Sequence, residues 1–172
     1  EILTGLKEAY MNRVTRKEIL DYVTYEERRD SIRNDVMAVK QPRRIHLGEY
    51  LTFLFENHET IRYQIQEMMR IEKIVKEEDI IHEIDTYNQI LGKPGDLGAT
   101  LLIEINDKEE RDKKLKELMG LPESIYLILV NGVKVFAEFD PNQVGEDQLS
   151  SVQYIKFRSE GHRPIAIGVE HP

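Results

Sequence analysis

Apolar residues recur at helical spacing from Tyr25 to Leu91 and alternate as in strands after Ala99, a change of rhythm that demands a mixed architecture. From Tyr25 the positions Ile32, Val36 and Val39 share one helical face until Pro42 stops the run. A second helix is predicted over 57–75, with Ile61, Ile65, Met68, Met69 and Val75 in one stripe, and a third over 77–91, with Ile80, Ile84, Tyr87 and Leu91. Two short strands, 44–47 and 50–55, lie between the first two helices with Gly48 at their bend. Further strands are expected at 99–105, 125–130, 133–139 and 152–157, with an edge strand at 164–169. A charged helix capped by Asp107 runs to about Leu118. Asn131-Gly132 predicts a two-residue type I′ hairpin in which Val130 faces Val133 and Ile128 faces Val135. Helices first and strands later indicate an α+β fold, with N-terminal helices packed on a mainly antiparallel sheet from the C-terminal half.

The chain has 172 residues, a length suited to one domain. Its 32 acidic residues outnumber 24 basic ones for a net charge of −8, which makes nucleic acid an unlikely partner because phosphate binding needs a basic footprint. Charge is uneven: residues 13–46 carry nine Lys/Arg against six Asp/Glu, while 49–123 carry ten against eighteen. With no cysteine, disulfides, thiolate metal sites and cysteine nucleophiles are excluded. The longest apolar run, 125–130, is far too short for a membrane helix, and no secretory signal opens the chain, so a cytoplasmic location is expected. Glu1 is no initiator, whereas Met11 directly precedes a helix-like pattern; residues 1–10 are therefore expected to be an extension or cloning remnant, and 11–172 a single domain. Thr15 or Thr24 can cap the first helical segment, with Glu18 or Glu27 completing a capping box.

Charges sit where apolar residues belong. On a helical wheel Glu72 falls inside the Ile61/Ile65/Met68 stripe, and Arg29 interrupts the seam formed by Tyr25, Ile32, Val36 and Val39, with Arg33 at its border. An Arg29–Glu72 ion pair would settle both burial problems, since the guanidinium fork matches a carboxylate. Glu83 and Asn88 flank the stripe containing Tyr87, and Glu104 shares a strand face with Leu102. Arg29, Arg33, Glu72, Glu83, Tyr87, Asn88 and Glu104 thus form a candidate polar pocket, either a structural charge network or a ligand site.

Metal and cofactor sites are not predicted. Glu67, Glu72, His82 and Glu83 lack the Glu-x-x-His spacing of di-iron carboxylate sites, and Glu67 lies away from the stripe. His46, His58, His162 and His171 are scattered and expected at the surface, and Gly92, Gly95 and Gly98 lack the dinucleotide fingerprint order.

The runs Arg43-Arg44-Ile45-His46-Leu47-Gly48, Phe55-Glu56-Asn57 and Gln64-Ile65-Gln66-Glu67-Met68 with Arg70 and Glu72 resemble a bacterial family of unknown function. The resemblance continues through Glu83, Tyr87-Asn88, 97–101 with Glu104, and 152–157, and extends back to Tyr25, Arg29 and Arg33. Gly92-Lys93-Pro94 departs from the Leu-Pro expected after the Tyr-Asn pair, which affects only a turn. The resemblance implies no established chemistry. Family members are often encoded near rubrerythrin-like and iron–sulfur proteins, which implies an accessory role in iron-redox or oxidative-stress metabolism, with an iron-redox protein as partner. Two readings stay open: a non-enzymatic accessory or binding protein, and an enzyme or metal-binding protein built on the carboxylate/arginine pocket.

Overall fold

The computed structural model describes residues 12–171, with four α-helices and seven strands among them. The fold is α+β, and every strand pairing is antiparallel. The chain divides into two compact units: one runs to Arg43 and resumes over Glu56–Gly92, and the other comprises Arg44–Phe55 and the chain from Lys93. The proposed extension, residues 1–10, lies outside the described residues.

The helical unit contains α1 (Tyr22–Lys40), α2 (His58–Glu72) and α3 (Glu77–Leu91), preceded by a short 3₁₀ turn at Arg16–Glu18. Glu18 reaches back to the Thr15 N–H at 2.8 Å, so that capping box forms on the 3₁₀ turn. Asp21, rather than Thr24, caps α1 by accepting from the Thr24 N–H at 3.0 Å. Asn57 caps α2 in the same way through the Thr60 N–H at 2.9 Å. α2 stops at Glu72 because Lys73 turns left-handed at φ 54°, so the predicted last stripe member, Val75, lies beyond the helix and is 71% exposed. α2 is used on two sides. Ile61, Ile65 and Met69 are buried on one, and Tyr63, Glu67 and Arg70 meet residues of α1 on the other.

The strand unit holds two sheets instead of one. β1 (Arg44–Leu47), β2 (Leu51–Phe55), β3 (Leu97–Ile103) and β6 (Val152–Phe157) are adjacent in that order. β4 (Ile125–Leu129) lies between β5 (Lys134–Phe136) and β7 (Pro164–Val169). Phe53, Leu101, Ile155 and Phe157 from the first sheet share a core with Ile125, Leu127 and Leu129 from the second, and Leu115 of α4 (Lys108–Glu117) joins them.

The β4–β5 hairpin corrects the predicted register. Leu127 faces Val135 and Ile128 faces Lys134, one residue away from the expected pairing, and three residues form the loop. The reason is the alternation of β4. Ile125, Leu127 and Leu129 point into the core, and cross-strand partners share a face, so the predicted register would have carried Lys134 inward opposite Leu129. The longer loop keeps the Lys134 ammonium outside, 3.9 Å from the centre of the Tyr126 ring. Only Gly132 in this loop has positive φ, at 83°, and a Cβ there would meet nothing within 4 Å. Gly132→Val is therefore expected to cost about 1–2 kcal/mol through backbone strain alone. A neutral urea-unfolding midpoint for that variant would contradict the turn.

Candidate functional site

The strongest polar constellation lies in the helical unit, and it differs from the predicted one. Arg29 of α1 makes a two-pronged ion pair with Glu67, with its Nε and Nη2 donating at 2.8 and 3.0 Å. The Tyr25 hydroxyl donates to the same carboxylate at 2.6 Å. The partner predicted for Arg29, Glu72, is exposed in the last turn of α2. The physical reason is helix geometry. Glu67 follows Tyr63 by one turn on the side of α2 that meets α1, whereas Glu72 sits where the helix ends. One turn further, Arg70 donates to Glu26 at 2.6 Å, a more exposed pair that completes a ladder between the two helices.

These contacts set the ionisation of the triad. Burial disfavours the Glu67 anion, but hydrogen bonds from Arg29 and Tyr25 outweigh it and hold the carboxyl below its ordinary value. Burial, reinforced by Glu67, pushes the Tyr25 hydroxyl far up, and the bond to Glu67 raises Arg29. Because the folded protein holds the Glu67 proton more weakly than the unfolded chain does, its stabilisation is complete above the ordinary carboxylate range. It is lost as the pH falls through that range towards the folded value. Glu67→Gln is therefore expected to flatten the acid limb of the stability profile, measured by urea unfolding between pH 3 and 6; an unchanged slope there would contradict the assignment.

Two carboxamides hold the entering chain on the helices. Asn88 of α3, 4% exposed, accepts from the Val14 N–H and donates to the Val14 carbonyl, both at 2.9 Å. Gln66 of α2 does the same for Leu20, at 2.6 and 3.2 Å. Arg16 forks onto Glu77 at 2.7 and 3.0 Å, and His58 meets Glu18 at 2.8 Å instead of standing free at the surface. Each amide imitates a strand neighbour, supplying one donor and one acceptor to an extended residue.

The remaining predicted site residues scatter. Arg33 is exposed, and Tyr87 is buried on α3. Glu83 is half-buried, and desolvation together with the nearby Glu72 carboxylate raises its carboxyl. Glu104 belongs to the strand unit, just beyond β3, where it accepts from the Thr52 hydroxyl at 2.7 Å; Thr52 in turn lies 2.9 Å from His46 Nδ1. Among the described residues, no group of three or more histidine, aspartate and glutamate side chains is placed to hold a metal ion. Glu67, Tyr25 and Gln66 carry the architecture and are absent from the predicted pocket. The signal for Glu67 was its helical spacing with Tyr63 and Arg70, a second face that the single-stripe reading passed over.

The family described as "Protein of unknown function (DUF3501)" matches residues 13–172. The chain belongs to this family. A crystal structure of a novel protein of unknown function from Burkholderia pseudomallei K96243 is similar, with a TM-score of 0.81 and 30% sequence identity over 92% of this chain and 88% of that one. No curated protein matches. The DUF3501 match takes in both compact units, so the clamped segment 14–20 and the Tyr25–Glu67–Arg29 triad lie within the family region. No helix among the described residues is long and apolar enough to cross a membrane.

Proposed function

We propose that this protein is a non-enzymatic accessory or binding protein of the cytoplasm, with an iron-redox protein as partner and residues 11–172 acting as one domain. The observation that supports this most directly is the Tyr25–Glu67–Arg29 triad. Proton-transfer catalysis favours groups whose pKa lies near the working pH. Here every member is moved the other way, Glu67 downward and Tyr25 and Arg29 upward, so each keeps a constant charge around neutrality. Gln66 and Asn88 are likewise committed to backbone groups. Such a set rigidifies a surface. The iron-redox partner follows from the family resemblance.

One observation favours the second reading, an enzyme built on carboxylates. Glu83 is raised towards neutrality, the direction a general acid needs. Calorimetric titration of the purified protein with the iron–sulfur and rubrerythrin-like proteins of the same organism separates the two. Saturable binding that Glu83→Gln leaves unchanged is the expected result. No binding to either protein would overturn the iron-redox partner, and an activity abolished by Glu83→Gln would replace the binding reading with the enzymatic one.

A further inference from the structure

Four edge strands border the two sheets, and three of them are covered or blunted. Along the outer edge of β6, Glu138 exchanges both backbone hydrogen bonds with Lys156, at 2.7 and 2.9 Å. On the same edge the Gln143 carboxamide takes the N–H and the carbonyl of Tyr154, at 2.7 and 3.1 Å. β5 is three residues long and begins with Lys134, and β1 is four residues long with Arg44 and His46 among them. Short, charged or covered edges keep a sheet from pairing with other chains. β7 differs. Its six residues, Pro164-Ile165-Ala166-Ile167-Gly168-Val169, carry no charge, and they pair on one side only, with β4.

The bonds at either end of the β4–β7 ladder fix which backbone groups stay open. Glu170 N–H donates to the Ser124 carbonyl at 2.9 Å and Val130 N–H to the Arg163 carbonyl at 2.8 Å. Between them Gly168 lies opposite Tyr126 and Ala166 opposite Ile128. Residues bonded to the neighbouring strand alternate with residues that are not. The N–H and carbonyl groups of Ile167 and Val169, and the Ile165 carbonyl, therefore point away from β4 and off the sheet. The side chains of these three residues lie on the core face. Ile167 and Val169 pack partly buried against the core, but Ile165 is 60% exposed.

We propose that β7 is a self-association edge, along which two copies of the chain pair antiparallel about a two-fold axis at Ile167 and join their three-stranded sheets into one of six strands. In that register the strand is complementary to itself. Ile167 N–H meets the Ile167 carbonyl of the second copy and Val169 N–H meets its Ile165 carbonyl, each in both directions, which gives four backbone bonds. The exposed Ile165 side chain is laid against Val169 of the second copy. Arg163 precedes the strand and Glu170 follows it. Antiparallel pairing sets these opposite charges beside each other at both ends, whereas parallel pairing would bring like charges together. A contact of this isologous kind closes at two copies. It does not depend on the iron-redox partner.

Sedimentation of the full chain at rising concentration shows whether the dimer forms. A reversible monomer–dimer transition in the micromolar range is expected, because one strand edge is smaller than the ~1,600 Å² of a standard interface. Ile165→Lys should weaken the dimer at least about tenfold by placing a charge opposite Val169 of the second copy. Val133→Lys, which removes an apolar side chain of similar exposure from the β4–β5 loop, should leave it unchanged. Oxidation reads the register. The chain has no cysteine, so Ile167→Cys supplies one thiol per copy. The two Cα atoms then lie about 5.5 Å apart, inside the disulfide range, and the copies should cross-link. Ile165→Cys is the more exposed position but sets the Cα atoms roughly 14 Å apart, so it should not. Circular dichroism matching the parent shows that each variant is folded. A monomer at every concentration, a dimer that Ile165→Lys leaves intact, or cross-linking of Ile165→Cys as fast as of Ile167→Cys would each overturn the self-pairing edge. A monomeric chain whose calorimetric binding of the redox partner is abolished by Ile165→Lys would give the edge to a strand of that partner, which also overturns self-pairing.

Discussion

Replacing Glu67 by leucine while Arg29 stays in place is expected to destabilise the protein by about 3 kcal/mol, close to the lower end found when one member of a buried ion pair is removed. The lower end applies because the side chains of Arg29 and Glu67 retain 23% and 14% exposure, so water still screens part of the interaction. Losing the carboxylate leaves the guanidinium without either of its short bonds and strips the Tyr25 hydroxyl of its only acceptor among the described residues. Arg29→Met should cost about 2–3 kcal/mol, since the Glu67 anion then keeps only the tyrosine. Tyr25→Phe should cost about 1.5 kcal/mol, the value of one hydrogen bond to a charged acceptor. The double variant Arg29→Met/Glu67→Leu should recover roughly 1–3 kcal/mol relative to the sum of the singles, because neither charge is then left alone. Urea midpoints at constant m-value supply the cycle. If both single variants lie within about 0.5 kcal/mol of the parent, the triad contributes no more than an ordinary surface pair.

The second large effect is expected at Asn88. Asn88→Asp keeps an acceptor for the Val14 N–H but replaces the donor to the Val14 carbonyl with a second oxygen, in a side-chain position that is 4% exposed. The carboxylate then faces a carbonyl dipole in a poorly solvated site, and either repulsion or protonation follows. A loss of about 3 kcal/mol at pH 7 is expected, shrinking below pH 5 as the carboxyl protonates and regains a donor. The sign follows from the raised pKa: the folded state binds the proton more tightly than the unfolded chain, so stability grows as the pH falls through the folded value. Asn88→Ala should lose about 2 kcal/mol with no such pH dependence, because it leaves both Val14 groups unpaired whatever the pH. Hydrogen exchange at the Val14 and Leu20 amides reports the same loss locally. Acceleration at Val14 with Leu20 still protected would show that the two carboxamides act independently, whereas unchanged exchange at Val14 in Asn88→Ala would remove the clamp as an explanation.

The elements were largely legible because each is written in a local period. Ile80, Ile84 and Tyr87 announce α3, Ile125, Leu127 and Leu129 announce β4, and both sets are buried. The candidate site was less legible. Arg29 stood out as a charge within an apolar seam and is indeed held by a carboxylate, but periodicity places residues on one helix and cannot choose among the acids of another. A single apolar stripe on α2 favours Glu72 over Glu67, whereas the helix packs on two sides and presents Glu67 to α1. Asn88 is legible as a border residue, yet its work for Val14 joins positions 74 apart.

By itself, then, the sequence determined the α+β class, the positions of the helices and strands, the presence of a hairpin at Gly132 and the need for Arg29 to find an acid. Each follows from interactions within a few residues, where the 3.6-residue and two-residue periods operate. Tertiary structure alone decided the division of the strands into two sheets, the one-residue shift in the hairpin, the choice of Glu67 and the pairing of Asn88 with Val14 and of Gln66 with Leu20. In each case the deciding energy is the burial or desolvation of a group by chain distant in sequence: Lys134 kept out of the core position opposite Leu129, Glu67 enclosed between Tyr25 and Arg29, and the Val14 backbone satisfied by an amide from α3.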